Sequence, residues 1–290
     1  WRPYPFAMPH FASIRGALTF IRDIQVMRVC WYAYSNADFL VAGRVLGKSA
    51  LGAYTMGWNL AGLVVEKITT LVGRVTPPVF SAVQEDPAAL RRYVLGLTQG
   101  MALITIPATL GLGLVAKEFV LLTLGAKWLS AIAPLQILAA YSSFRSISTL
   151  VAQVLMVTGE TRFMMLNSIA ALLVMPGLFY LGSHWGAEGI AIGWIFGFPV
   201  LELPAYLRMF RTIQLDPKDY LRALWPSLNG SIVMVLVVIW LKWFLPDSLS
   251  VAIRLALEVC LGFLSYASSI ALFHRKTLWD AAQLVRNLRE

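Results

Sequence analysis

The chain has 290 residues, 58% of them hydrophobic and 13% charged, with a net charge of +9 and a mean hydropathy of +0.69. A soluble domain carries about 25% charged residues, so this chain has too little polar surface for water and its apolar excess must face lipid. The basic residues lie between long apolar runs, which excludes the basic patch with interleaved aromatics of a nucleic-acid binder, and Cys30 and Cys260, each inside an apolar run, read as free buried thiols and not as a disulfide or metal site.

A bilayer core about 30 Å thick takes roughly 20 apolar residues of helix. Eight segments qualify in chain order: 11–38, 50–76, 90–115, 130–157, 162–182, 187–209, 222–244 and 250–274. Their length and lack of alternation exclude membrane strands, and the fold class is all-α, a polytopic membrane helix bundle. Between segments, Pro77-Pro78 reads as the end of the second helix, Asp86-Pro87 as an N-cap with a first-turn proline, and Gly159 as the stop of the fourth helix. Pro176, Pro199 and Pro204 fall inside segments, as membrane helices tolerate.

Fourteen Lys and Arg residues fall on the side of the N-terminus, against six (Arg44, Lys48, Lys117, Lys127, Lys242 and Arg254) on the other. The positive-inside rule then places both ends in the cytoplasm of a bacterial inner membrane. From Lys276 to Glu290 the tail reads as an amphipathic helix on the inner leaflet. The chain opens on Trp1, without a signal peptide, and reads as the later part of a longer one.

Ionisable groups at membrane depth are costly, and each is a functional candidate. The first segment carries Arg22, Asp23 and Arg28, the second Glu66 and Lys67, the fourth Arg145, the sixth Glu202 and the eighth Glu258. At 100° per residue, Arg22, Gln25, Arg28, Tyr32, Ser35 and Asn36 share less than half of the first helix. Thr55, Asn59, Glu66, Thr69 and Thr70 form a stripe on the second, and Tyr141, Ser142, Arg145, Ser148, Thr149 and Gln153 one on the fourth. Three polar stripes at one depth imply a shared hydrated cavity, mostly cationic and suited to an anionic group. Structural readings stand beside the functional ones. Arg15 reads as snorkelling to headgroups, Asp23 as neutralising a neighbouring arginine, Glu66 as pairing with an arginine of the first helix, and the Ser/Thr stripes as interhelical glue. Glu202 and Glu258 read as interhelical hydrogen-bond partners.

There is no GxxxxGK[ST] loop, His10, His184 and His274 form no metal cluster, and no substantial external loop carries paired carboxylates for glycan chemistry. A catalytic role is therefore not expected, and neither a cofactor nor a metal is implied.

The run Trp31…Asn36-Ala37-Asp38, Gly43-Arg44-x-x-Gly47 and Leu51-Gly52-x-Tyr54, with Pro78-Val79-Phe80-Ser81, Gln84, Asp86, Leu124-Gly125-Ala126-Lys127-Trp128 and Gly159, resembles the polysaccharide transporter family of Wzx-like oligosaccharide flippases in the MATE/MOP superfamily. The likeness in motif covers 31–160; beyond it only hydropathy agrees. The resemblance implies residues 1–215 as a C-terminal six-helix lobe, 216–274 as two additional transmembrane helices and 275–290 as the cytoplasmic tail, with a six-helix N-terminal lobe of the same protein as partner. It further implies export of an undecaprenyl-diphosphate-linked oligosaccharide for O-antigen, capsule or exopolysaccharide assembly. Arg22, Arg28 and Arg145 would attract the diphosphate or acidic sugars, and Gln25, Asn36, Asp38 and the Thr/Ser stripes would bond sugar hydroxyls. Glu66 would couple to H⁺ or Na⁺, and Asn59 and Lys67 would complete the substrate-binding set. Membrane lipids and other polysaccharide assembly proteins are further implied partners. A multidrug or cation antiporter of the same superfamily and a non-transporting truncated remnant are the alternatives.

Overall fold

The computed structural model describes residues 11–275 apart from 85 and 247. The N-terminal ten residues and the tail expected to be amphipathic, from Lys276 onward, lie outside the described residues. Eight long helices account for most of the described chain. They are α1 (Phe11–Ser35), α3 (Lys48–Ala82), α4 (Pro87–Leu114), α6 (Ile132–Val157), α7 (Thr161–Gly182), α8 (Gly186–Thr212), α9 (Pro217–Phe244) and α10 (Val251–Phe273). Two short helices, α2 (Ala37–Val41) and α5 (Ala116–Thr123), join them, α2 running on into a π-helical turn at Ala42–Leu46. The expected segments thus recur with shifts of a few residues, as an all-α membrane bundle.

Turn chemistry sets most ends. Asp86 caps α4 by accepting from the amides of Ala88 and Ala89 at 2.9 and 3.1 Å, with Pro87 at the first helical position. Gly159, at φ 80°, stops α6 while the Glu160 amide returns to the Leu155 carbonyl at 2.9 Å. Pro77-Pro78 behaves otherwise than expected: α3 runs through both to Ala82. Without water to capture the freed carbonyls, local adjustment within a packed helix is cheaper than unwinding, and Thr76 Oγ1 donates to the Val72 carbonyl at 2.6 Å just before the pair. Cys260 is exposed on α10, and only Cys30 is buried.

The helices pack in a curved row. α1 lies on α7, α7 on α8, α8 on α6, and α6 on both α3 and α4; α9 then lies on α4 and α10 on α9. Two apolar clusters fill the row. One centres on Trp194, Tyr54, Leu135 and Phe179, the other on Phe80, Leu90, Leu155 and Met209. Between them, hydroxyls join α4 to α6: Thr105 with Ser146 at 2.9 Å, and Thr109 with Ser143. Such pairs replace the hydrophobic force that lipid cannot supply. Ser143 and Ser146 lie outside the stripe expected on α6; of that stripe, Ser148 reaches the Tyr206 hydroxyl of α8 at 3.0 Å.

Four stretches, Pro87–Leu114, Thr161–Thr212, Pro217–Phe244 and Val251–Phe273, are long and apolar enough to cross a membrane by length and composition, the second comprising α7 and α8 together. The other long helices, α1, α3 and α6, are those bearing the polar stripes.

Candidate functional site

α1 is attached to the bundle along one seam. Of its described side chains only Asp23, Cys30 and Tyr34 are buried, seven and four residues apart and so on one face. The break at Asn36 and the π-turn then redirect the chain into α3, which packs on α6 and α4 and makes little contact with α1. The two helices therefore splay from the break, and α7, α8 and α6 lie between them. Gly47, at φ 86°, makes the final turn into α3.

The inner wall near the break is aromatic. On α8, Trp194, Phe198, Glu202 and Tyr206 recur every four residues and share one face. On α3 the same spacing aligns Tyr54, Trp58, Gly62 and Glu66, and α6 offers Tyr141, Phe144, Arg145 and Ser148. These rings interlock: Trp194 lies 5.0 Å from Tyr141 and 5.3 Å from Trp58, and Tyr141 lies 5.3 Å from Phe198. Beneath them, Asp38 is fully buried. Its carboxylate accepts from the Tyr54 hydroxyl at 2.7 Å, from Trp194 Nε1 at 3.0 Å and from the Phe39 amide at 2.8 Å. These bonds fasten the break to α3 and α8.

Arg145 emerges from this wall. It is half-buried, its Cζ standing 5.5 Å from the centroid of the Trp58 ring, a cation–π arrangement that leaves part of the guanidinium available. Glu202 is half-buried on the aromatic face of α8. The charges of both Arg145 and Glu202 act on the hydroxyls of Tyr34 and Tyr141, which places the four groups in one electrostatic neighbourhood. The Glu66 carboxylate folds back over Gly62, one turn from Trp58: its Oε1 lies 3.1 Å from the position a Gly62 Cβ would take.

The expected site residues divide into three groups. Trp58 brings Arg145 to the aromatic wall; Asn59 and Glu66 are exposed beside that face of α3, whereas Lys67, nine residues on from Trp58, is exposed on the opposite face of the helix. Gln25 and Arg28 are exposed on α1 across the splay, while Arg22 donates twice to Asp23, at 3.0 and 2.7 Å, with 59% of its side chain exposed. Neighbours in sequence seldom face each other on a helix, but the long arginine reaches back to the buried carboxylate. Asn36 is exposed and donates to the Tyr32 carbonyl at 2.7 Å. Asp38 stands apart: enclosed and fully bonded, it holds the scaffold and meets no open surface, which corrects its expected place among the groups that bond sugar hydroxyls. Glu66 forms no ion pair with an α1 arginine among the described residues, because α1 packs against α7 and not α3. Arg28 and Lys67 likewise make no ion pair among the described residues.

The aromatic wall was not anticipated. Its signal was available in the four-residue recurrence of Trp194, Phe198 and Tyr206, interrupted only by Glu202, because a carboxylate on an aromatic stripe faces inward with it.

Residues 1–133 match the family described as "Polysaccharide biosynthesis protein". Over 278 residues, 95% of this chain and 57% of the relative, the chain is 26% identical to an "Uncharacterized membrane protein in cps region" of Klebsiella pneumoniae. It is 28% identical to the "Lipopolysaccharide biosynthesis protein WzxC" of Escherichia coli over 74% of this chain and 45% of that one. It is 24% identical to the "Teichuronic acid biosynthesis protein TuaB" of Bacillus subtilis over 80% and 48%. The chain spans about half the length of these curated relatives. No solved structure matches it.

Proposed function

We propose, for a chain that belongs to the Wzx-like polysaccharide transporter family, that it supplies one wall of a flippase that carries an undecaprenyl-diphosphate-linked oligosaccharide across the bacterial inner membrane. The chain is a multi-pass bacterial membrane protein of polysaccharide biosynthesis; the substrate, the direction of export and the cytoplasmic placement of both ends are our reading. Residues 1–215 form the lobe, 216–274 two added helices, and a second six-helix lobe of the same protein closes the cavity from the other side. O-antigen, capsule or exopolysaccharide assembly is the process it serves.

One observation carries this reading: Arg145 stands on a wall of interlocked rings, 5.5 Å from the Trp58 centroid, and Arg28 and Lys67 are exposed on α1 and α3 without an acidic partner among the described residues. Cations left unpaired in a membrane protein are costly unless they meet water or an anion, and a guanidinium binds phosphate oxygens in a bidentate fork. Aromatic faces with Asn59 beside them on α3 suit the apolar faces and hydroxyls of sugars. The diphosphate would be drawn to Arg145 and Arg28, and the glycan would lie along the α3 surface. Two lobes rocking about that site would expose it first to one leaflet and then to the other.

The reading is tested in a strain lacking the chromosomal gene, with the intact gene returned on a plasmid. Arg145→Ala and Arg28→Ala should each reduce surface polysaccharide severely at unchanged protein level, with lipid-linked oligosaccharide accumulating inside. Wild-type polysaccharide from both variants would refute it.

A further inference from the structure

Buried and half-buried acids elsewhere in the bundle have a cation or a set of donors at hand. Asp38 has Tyr54 and Trp194, Asp23 has Arg22, and Glu160 has Arg208 at 3.0 Å. Lys242 Nζ lies 3.0 Å from Glu118 Oε2 and 3.1 Å from Glu258 Oε2, where α5, α9 and α10 meet. Glu202 of α8 differs. Half-buried, it makes neither an ion pair nor a hydrogen bond among the described residues.

The α6–α8 seam fixes its level in the bundle. Tyr141 of α6 meets Phe198 of α8 with ring centroids 5.3 Å apart, and Ser148 Oγ lies 3.0 Å from the Tyr206 hydroxyl. Between these two contacts, four residues on from Tyr141 and from Phe198, stand Arg145 and Glu202. Phe144, next to Arg145 in the chain, lies 5.9 Å from both Phe198 and Tyr206 and so brackets Glu202 from α6. Both charges act on the Tyr34 and Tyr141 hydroxyls. Yet the two form no ion pair: the Arg145 guanidinium stands instead 5.5 Å from the Trp58 centroid, on the α3 side. A carboxylate kept at membrane depth without a partner is costly, and this one sits one helix away from a guanidinium that is committed elsewhere.

On the reading that Arg145 draws the diphosphate, we propose that Glu202 competes with the diphosphate for the Arg145 guanidinium and so keeps the hold on substrate weak enough for release. The guanidinium fork fits a carboxylate and a phosphate in the same bidentate geometry, so the two anions contend for one set of donors. Rotation about the arginine's side-chain bonds carries the fork between its seat on Trp58 and the α8 side. A site that only attracted the diphosphate would trap it, because transport requires binding that can also be left. Glu202 acts through Arg145 and is a positioning residue.

Full-length protein in detergent would be titrated calorimetrically with farnesyl diphosphate, a diphosphate on a short isoprenoid, and with farnesol as the uncharged control. Glu202→Gln should bind farnesyl diphosphate about tenfold more tightly than wild type, the scale of one close charge pair, with farnesol unchanged. Glu202→Asp keeps the charge and should bind as wild type does. In an Arg145→Ala background the same Gln change should gain less than about twofold, since residues that act as a pair are not additive. In cells, Glu202→Gln should lower surface polysaccharide while more lipid-linked oligosaccharide copurifies with the protein; Arg145→Ala should lower it without that retention. Wild-type affinity in Glu202→Gln, or a full gain without Arg145, would overturn the inference and leave the role of Arg145 standing. Wild-type affinity in Arg145→Ala would overturn the role of Arg145 and the inference with it, as would absence of binding by wild type and Glu202→Gln alike. Should Glu202→Gln fail to accumulate, Glu202→Ala makes the same comparison.

Discussion

Arg145 and Trp58 hold each other in place: the guanidinium of one stands 5.5 Å from the ring centroid of the other, across the α3–α6 contact. The ring fixes a cation at the edge of the aromatic wall, and the cation covers one side of the indole. Arg145→Lys keeps the charge but loses the planar fork and its stacking. We expect Arg145→Lys to retain a minor share of export and Arg145→Ala to retain none. Both should unfold about 0.5–2 kcal/mol more easily than wild type. Surface polysaccharide measured beside detergent thermal unfolding separates the two effects; equal export by Lys and Ala variants would show that the charge is not what matters.

Asp38 gives the contrary case. Fully enclosed and bonded to Tyr54 and Trp194, it fastens the α1–α3 break to α8. Tyr54→Phe removes one donor and leaves a buried carboxylate short of a bond, at a cost of about 1–3 kcal/mol. Trp194→Phe removes the other donor and should cost at least as much. If Asp38 is a scaffold residue, these two variants and Asp38→Asn should lower protein abundance and unfolding temperature in step, with export per molecule unchanged. A loss of export by Asp38→Asn at full abundance, not shared by Tyr54→Phe, would mean that Asp38 meets the substrate.

The contrast shows what was legible in the sequence. Helix positions were, because each long apolar run must be helical in lipid and Asp86, Pro87 and Gly159 carry their own turn chemistry. Proline was misleading at 77–78, where the membrane removes the water that lets such a pair stop a helix. Arg145 was found by its depth and stripe. Asp38 drew notice through the motif around it, yet one sequence cannot distinguish a carboxylate that lines a cavity from one clasped by a tyrosine 16 and a tryptophan 156 residues away. In the sequence Lys242 counts only among the six cations of the outer side, Glu258 reads as a solitary interhelical hydrogen-bond partner, and Glu118 carries no signal. Their convergence depends on α10 packing against α9 and α5, which periodicity does not determine.

That convergence makes Lys242 critical to the attachment of α10. Lys242→Met would leave Glu118 and Glu258, 5% and 1% exposed, without the cation between them. Breaking a buried pair by removing one partner costs about 3–5 kcal/mol. Lys242→Met combined with Glu118→Leu and Glu258→Leu should recover most of that loss, since apolar replacement of a whole buried cluster is often neutral. Proteolysis and thermal unfolding of the three variants would check this; a single variant as stable as wild type would show that the cluster carries little energy.

Close packing holds the same helix to α9 further along. A Cβ at Gly230 would approach Tyr266 Cε2 to 2.9 Å and Ile270 Cδ1 to 3.0 Å, so the α9–α10 contact depends on a missing side chain. Gly230→Val should displace Tyr266 and weaken its bond to the Leu103 carbonyl, at about 1–3 kcal/mol for overpacking. Tyr266→Ala should relieve the clash at the expense of that bond. A double-mutant cycle should therefore show the two changes to be less than additive, and additivity would place the strain elsewhere.

The direction of the bundle in the membrane is the remaining prediction. It rests on fourteen cations against six, assigned to the two membrane sides in the terminal segments, in the connections and toward the helix ends. If both ends are cytoplasmic, the break at Gly47 and the loops around Gly125, Trp185 and Pro246 face outward, and the turns at Gly159 and Gln214 face the cytoplasm. With Cys30 and Cys260 replaced by alanine, single cysteines at Lys48, Lys127 and Trp185 should react with a membrane-impermeant maleimide on whole cells. Cysteines at Arg162 and Arg211 should react only after the membrane is opened. Lys48 and Lys127 are exposed at helix ends, as are Arg162 and Arg211, so the contrast reports sidedness and not burial. The reverse pattern would invert the chain, setting fourteen cations against the rule that governs membrane insertion. It would also mean that a substrate entering from the cytoplasm meets the opposite end of the Arg145 wall first.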